Sequence, residues 1–267
     1  MIPPRAQPLA PLPLVNWMGV RTLFWMELRR YLKAWPYAIG APVLTTLLFL
    51  AVFDLALGDL RRDIDGVPFL VFLAPGLVAM TVMTTAFEIT GWSTIDAKIR
   101  GTIQAQLSAP LRPTEFVGAH VLAGAVGGLV NGLLVVVAMQ PFIAITPIDL
   151  GLLLYFTVTS ALFMASVGIA AGIQADKYDH VATIMNFLIT PMIFLSGVFF
   201  PVSAYSPLFA DLAHLSPFFW IIDGARHGYL GVGEAPLLPS MVLTGAMTII
   251  ALIGLTFMVA RGYKLKQ

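Results

Sequence analysis

The chain has no cysteine among its 267 residues, and only 11% of them are charged. The first absence excludes disulfides and thiolate metal sites, so every loop must be held by packing and hydrogen bonds. The second excludes an ordinary soluble domain, in which about 25% of residues are charged. The string G-x-x-x-x-G-K-[ST], whose amides and lysine cradle phosphate, is also missing. The chain is therefore expected to bind no nucleotide and to hold no cofactor of its own. Neither a G-x-S-x-G elbow nor an H-E-x-x-H pair occurs, and the histidines, at 120, 180, 214 and 227, are scattered. An intramembrane hydrolase is thus disfavoured. An ion-coupled carrier would keep carboxylates near the membrane midplane, whereas Asp54 and Glu88, the acids near apolar stretches, stand at stretch ends.

What the sequence does have is long uncharged runs. Ala34–Phe53, Gly66–Phe87, Phe116–Ile148, Leu150–Ala175, Val181–Ala210 and Ala235–Ala260 contain no Asp, Glu, Lys or Arg. Crossing the hydrocarbon core as a helix takes about 20 apolar residues, so the expected fold is an all-α membrane protein with six transmembrane helices. Residues 1–13, with prolines at 3, 4, 8, 11 and 13, read as a disordered leader rather than a signal peptide. Residues 14–35 form a connecting segment, and 36–267 form the six-span domain. With both termini inside, the cytoplasmic segments hold Arg5, Arg21, Arg29, Arg30, Lys33, Lys98, Arg100, Arg112, Lys177, Arg261, Lys264 and Lys266, against Arg61, Arg62 and Arg226 outside. That bias predicts cytoplasmic termini. The acids Asp59, Asp63, Asp65, Asp149, Asp211, Asp223 and Glu234 fall on the outer side.

Three segments between spans are irregular. Residues 14–33 place Trp17, Val20, Phe24, Leu28 and Tyr31 at helical spacing, with Thr22, Arg29, Arg30 and Lys33 opposite. This predicts an amphipathic helix on the cytoplasmic membrane surface, its cations near lipid headgroups. Residues 91–113 mix polar and apolar positions, and a short helix from Thr102 to Ala109 would put Ile103 and Leu107 on one face and Gln104 and Ser108 on another. Such a helix suits docking on a partner protein. Residues 196–235 are too apolar for a free loop and too broken to span, which predicts re-entrant or interfacial helices on the outer side. Their aromatic residues Phe199, Phe200, Phe218, Phe219 and Trp220 form an expected exterior gate or belt. Glu88, just before the 91–113 segment, is expected to pair with Lys98, Arg100 or a cation of the first helix and so relay charge to that segment. Asp176, Lys177, Asp179 and His180 read as a solvated turn, and no span presents an obvious polar face.

At this point the residues carry a resemblance. Arg100-Gly101-Thr102 leading to Leu107-Ser108-Ala109-Pro110, then Leu195-Ser196-Gly197-Val198-Phe199-Phe200-Pro201, Leu215-Ser216-Pro217-Phe218 and Asp223-Gly224-Ala225-Arg226-His227-Gly228, are similar to the type-2 ABC transporter permease family of drug, polysaccharide and nodulation lipo-oligosaccharide exporters. The likeness covers about residues 14–262. Gln104 stands where many relatives carry an acid, and Ser216 where many carry Asn. The resemblance implies a homodimeric export fold in a bacterial inner membrane, with a connecting helix, a coupling helix between spans two and three, and a re-entrant exterior hairpin before span six. It also implies two copies of a separate ABC ATPase carrying ATP and Mg, membrane lipid as surroundings, and no nucleic-acid partner. ATPase coupling would fall to Arg100, Gly101, Thr102, Gln104, Leu107 and Pro110, and the cargo would be amphipathic or lipid-linked.

Overall fold

The computed structural model describes residues 15–57, 63–64, 66–143 and 146–264. The expected leader lies outside the described residues, as do Asp59, Arg61, Arg62, Asp65 and Lys266 of the charge distribution. Among the described residues, six helices are long and apolar enough to cross a membrane: α2 (Pro36–Ala56), α3 (Phe69–Ile99), α5 (Pro113–Met139), α6 (Leu150–Gln174), α7 (Tyr178–Val198) and α10 (Leu237–Ala260). The other helices are α1 (Trp17–Lys33), α4 (Thr102–Ser108), α8 (Pro207–Leu215) and α9 (Pro217–Leu230). Among the described residues there are no strands, only an isolated bridge between Ile64 and Val67. The chain is thus a multi-pass, all-helical membrane protein.

Its axis is α3, which is buried over most of its length, whereas α2 and α10 are largely exposed. Small residues let neighbours approach that axis. A β-carbon at Gly172 of α6 would lie 2.6 Å from Thr94 Cβ and 2.8 Å from the Gly91 carbonyl oxygen of α3. One at Gly168 would collide with Thr90 Oγ1 and the Phe87 carbonyl. Without water to drive apolar association, such close backbone contact is what holds membrane helices together. The Thr90 hydroxyl adds a link across this seam, donating to Ala165 O at 2.9 Å.

Chain reversals give the bundle two ends. One carries α1, α4 and the α6–α7 turn, where Lys98 Nζ of α3 donates to Ala175 O at 2.6 Å. The other carries α8 and α9, where the Ile148 amide donates to Gly228 O at 3.0 Å. Helix α9 is far too short to span, yet it is drawn in among the long helices: Gly224 rests on the Phe156 ring and Gly228 on Leu153. Helix α7 reaches this end irregularly. Pro191 has no amide hydrogen to give, a wider π turn precedes it at Ile184–Ile189, and the helix kinks after it at Ser196 and Gly197. The kink passes through Gly197 at φ +86°, a conformation open to glycine.

Candidate functional site

The first end is built around α1. Its cap is Asn16, whose side chain accepts from the Gly19 amide at 3.0 Å. The Asn16 amide donates to Glu115 Oε1 at 2.9 Å, and the other Glu115 oxygen accepts the Arg112 amide at 2.8 Å. Asn16 Nδ2 adds a bond to Pro110 O at 3.2 Å. One carboxylate and one amide therefore tie the start of α1 to the turn that joins α4 to α5.

Farther along α1 the buried residues are Leu23, Glu27 and Tyr31. Val20, Phe24 and Leu28 are half-buried, and Trp17 is exposed, so the packed face is turned from the one expected. The turn brings an acid inside. Glu27 Oε2 accepts Ser93 Oγ of α3 at 2.5 Å and pairs with Arg30, while Oε1 lies 3.6 Å from His120 Nε2 of α5 and lacks a hydrogen-bond partner. His120 is held by Phe116, through its ring at 4.3 Å and its carbonyl at 2.9 Å from Nδ1. One turn on, Tyr31 donates to Asn131 Oδ1 at 3.0 Å, and Asn131 Nδ2 donates to Ala38 O at 2.7 Å and Thr85 Oγ1 at 2.9 Å. Burial pushes the Tyr31 hydroxyl up to about 12. Four helices meet in this knot. Sequence periodicity did not single out Glu27, whose partners Ser93 and His120 are distant in the chain.

The expected coupling segment is indeed helical, over Thr102–Ser108, one residue short of the expected end. Gly101 precedes it at φ +72°. Ile103 is buried and Leu107 half-buried, both packed on the bundle of their own chain. Arg100, Gly101, Thr102, Gln104, Ala105, Ser108 and Pro110 are exposed. The apolar side of α4 thus seats the helix, and the side left open is polar.

The expected Glu88 pairing is not found. Lys98 bonds Ile173 O, Ala175 O and, at 3.3 Å, Asp176; Arg100 bonds Asp96 at 2.8 Å; Arg30 bonds Glu27. Lys98 lies ten residues beyond Glu88, roughly 15 Å along a helix at 1.5 Å per residue, out of reach of one side chain. Arg29 stacks its guanidinium over the Trp25 ring at 5.4 Å, and Lys33 is exposed. The 176–180 segment is more than a solvated turn. Asp176 ties to Lys98 and, at 3.7 Å, Lys264, and Tyr178 donates to Asp96 at 2.8 Å. The Lys98 hydrogen bond, helped by the Lys264 charge, holds the Asp176 carboxyl below the usual carboxylate range.

Glu88 instead stands where two cavities meet. One, of about 450 Å³, opens between α1, α3 and the start of α7, with Glu27, Arg30, Trp92, Asp96 and Tyr178 in its walls. The other, of about 290 Å³, lies between α2, α3 and α7, lined by Thr45, Thr46, Thr81, Thr84 and Asn186 among others. Tyr37 and Glu88 line both. A polar span face therefore exists, contrary to expectation. Its threonines sit in uncharged stretches that read as uniformly apolar.

The opposite end holds charge differently. Asp223 is fully buried and accepts the Glu234 and Ala235 amides at 2.8 and 3.0 Å. Glu234 in turn accepts the Val202 and Ser203 amides at 2.8 and 2.7 Å. Arg226, also buried, lies 3.6 Å from Asp223, donates to Gly197 O at 2.6 Å and rests 4.0 Å above the Phe72 ring. Asp223 and Arg226, expected as outer-loop charges, are thus interior groups. The five gate aromatics divide. Phe199 and Phe200 join Phe49, Phe53, Phe69 and Phe194, with ring centroids 5.1–6.3 Å apart. Phe219 and Trp220 pack with each other and near His214, and Phe218 enters the main core.

The model of the ABC-2 type transporter family matches residues 18–230, and the chain belongs to that family. It is 28% identical over 221 residues to inner membrane transport permease YadH of Escherichia coli K12, covering 83% of this chain and 86% of that one. It is 30% identical over 235 residues to nodulation protein J of Neorhizobium galegae (83% and 84% covered) and 30% over 250 residues to that of Sinorhizobium fredii (90% and 92%). Family membership makes this a transport subunit of a class that works with an ATPase.

Proposed function

We propose that the chain is the membrane subunit of an ATP-driven exporter, working as a pair of copies with two copies of a separate ATPase that carries ATP and Mg. It moves an amphipathic or lipid-linked substrate out of the cytoplasm or inner leaflet by alternating access. Both termini face the cytoplasm of an inner-membrane protein, α1 lies along that surface as the connecting helix, and α8 and α9 form the re-entrant exterior hairpin. The observation that carries the reading is α4. A seven-residue helix fixed by Ile103 and Leu107, with Arg100, Thr102, Gln104 and Ser108 outward, is a rigid polar knob suited to a groove on the ATPase. The Asn16–Glu115 tie would pass its movement to α1.

Co-purification with the cognate ATPase tests this. Thr102→Trp and Ser108→Trp add bulk to the open side only, so each should cut ATPase recovery and transport-linked hydrolysis at least tenfold. Leu107→Asp should do the same by unseating the helix, while Asp179→Ala in the other turn should not. Wild-type recovery with both Trp variants, or ATP hydrolysis by the purified chain alone, would overturn the reading.

A further inference from the structure

The two cavities that meet at Glu88 have a consistent chemistry. Three carboxylates, from Glu27, Glu88 and Asp96, face the larger one, against one cation, Arg30. Arg30 is occupied by Glu27, and Asp96 by Arg100 and Tyr178. Glu88 forms no hydrogen bond or ion pair among the described residues. A carboxylate at a membrane helix is costly, and such groups mark substrate pathways by default.

The walls add to this. Trp92 and Tyr178 stand with ring centroids 6.3 Å apart, tilted by 31°, and Tyr37 is almost wholly exposed. Electron-rich rings of this kind attract ammonium groups. In the smaller cavity the hydroxyls of Thr46, Thr81 and Thr84 donate to carbonyls of their own helices, Pro42, Leu77 and Met80. Thr46 and Thr81 also touch each other, hydroxyl to hydroxyl at 3.1 Å, so the hydrogens of all three are taken up within the helices. Phe49, Leu77, Met80 and Met185 supply apolar wall beside them. An anionic headgroup would meet the Glu88 carboxylate, with the exposed Tyr37, Thr45 and Asn186 to donate to it. A cationic one with an apolar body would meet a counter-charge, aromatic faces and a hydrocarbon wall.

We propose that this groove admits an amphiphile with a cationic headgroup, Glu88 serving as its counter-ion, the aromatic side chains of Trp92 and Tyr37 flanking the ammonium, and the apolar body running into the cavity between α2, α3 and α7. The proposal rests on the permease reading and names the class of its substrate.

The test uses the full chain in nanodiscs of zwitterionic lipid and two fluorescent probes with one tail, a dansyl-alkyl trimethylammonium and the matching dansyl-alkyl phosphate. Wild type should bind the ammonium probe at least tenfold more tightly than the phosphate probe. Glu88→Gln, nearly the same shape, should lose most of that preference, and Trp92→Leu should weaken ammonium binding severalfold. Equal binding of the two probes by wild type, or an unchanged preference in Glu88→Gln, would overturn the proposal. If the probes show no preference while the ATPase still co-purifies through α4, the headgroup assignment fails and the permease reading stands.

Discussion

The two ends of this bundle differ in how completely they pair their carboxylates. At the α9 end, Asp223 and Glu234 are each clamped by two backbone amides, and Arg226 is buried against a carbonyl, a ring and a carboxylate. At the α4 end, Glu115 is clamped in the same way by the Asn16 and Arg112 amides, but among the described residues Glu27 keeps one oxygen without a hydrogen-bond partner, and Glu88 lines two cavities. A clamped carboxylate fixes backbone; an unclamped one is available to something that arrives.

The sharpest way to break this comparison is to ask which side of the membrane each end occupies. In this Cys-free chain, Ser108→Cys should react with an impermeant maleimide only from inside, and Val232→Cys only from outside. Val232 is exposed, whereas a side chain at neighbouring Gly233 would strike the His227 ring. Labelling of Ser108→Cys from outside would invert the assignment of the two ends.

Stability should separate the ends next. Asp223→Ala strips two buried amides of their acceptor and leaves Arg226 without its carboxylate, so it should cost about 3–5 kcal/mol, the range for breaking a buried pair. Thermal unfolding in detergent measures it, and a loss under 1 kcal/mol would mean that the clamp is not structural. At the other end, Tyr31→Phe leaves Asn131 Oδ1 short of a donor in a buried site. The expected cost is about 1–3 kcal/mol, felt as faster hydrogen exchange in α1 rather than global unfolding.

The smallest effect concerns pH. Because the folded Asp176 carboxyl titrates below its unfolded value, its ties to Lys98 and Lys264 stabilise the fold above the ordinary carboxylate range. They are lost as pH falls through the depressed value. Protease access at Lys177 should therefore rise at low pH in wild type and be raised and less pH-dependent in Asp176→Asn.

The six spans were legible because an uncharged run of more than 20 residues is a local property. Helix α4 was legible from the Ile103–Leu107 spacing, but that spacing alone does not say whether the apolar side meets a partner or the chain itself. What stayed hidden depends on contacts distant in sequence. Nothing in the sequence singles out Glu27, because only the fold brings Ser93 and His120 to it. The Glu88 groove was obscured for a different reason: threonines that bond their own helix carry almost no polar signal, so Thr46, Thr81 and Thr84 vanish into hydropathy.

The π turn of α7 bears on how much change in length this span tolerates. A π turn holds one residue more than an α turn, so it is where a helix can lose a residue and keep the angular phase of everything beyond. Deleting one residue within Ile184–Ile189 would convert that turn to ordinary α geometry, with the Gly197 bend still aimed at Arg226. The same deletion in the middle of α3 would swing every later side chain by about 100°, given 3.6 residues per turn. Single-residue deletion scanning should therefore find one permissive window in α7 and none in the buried axis.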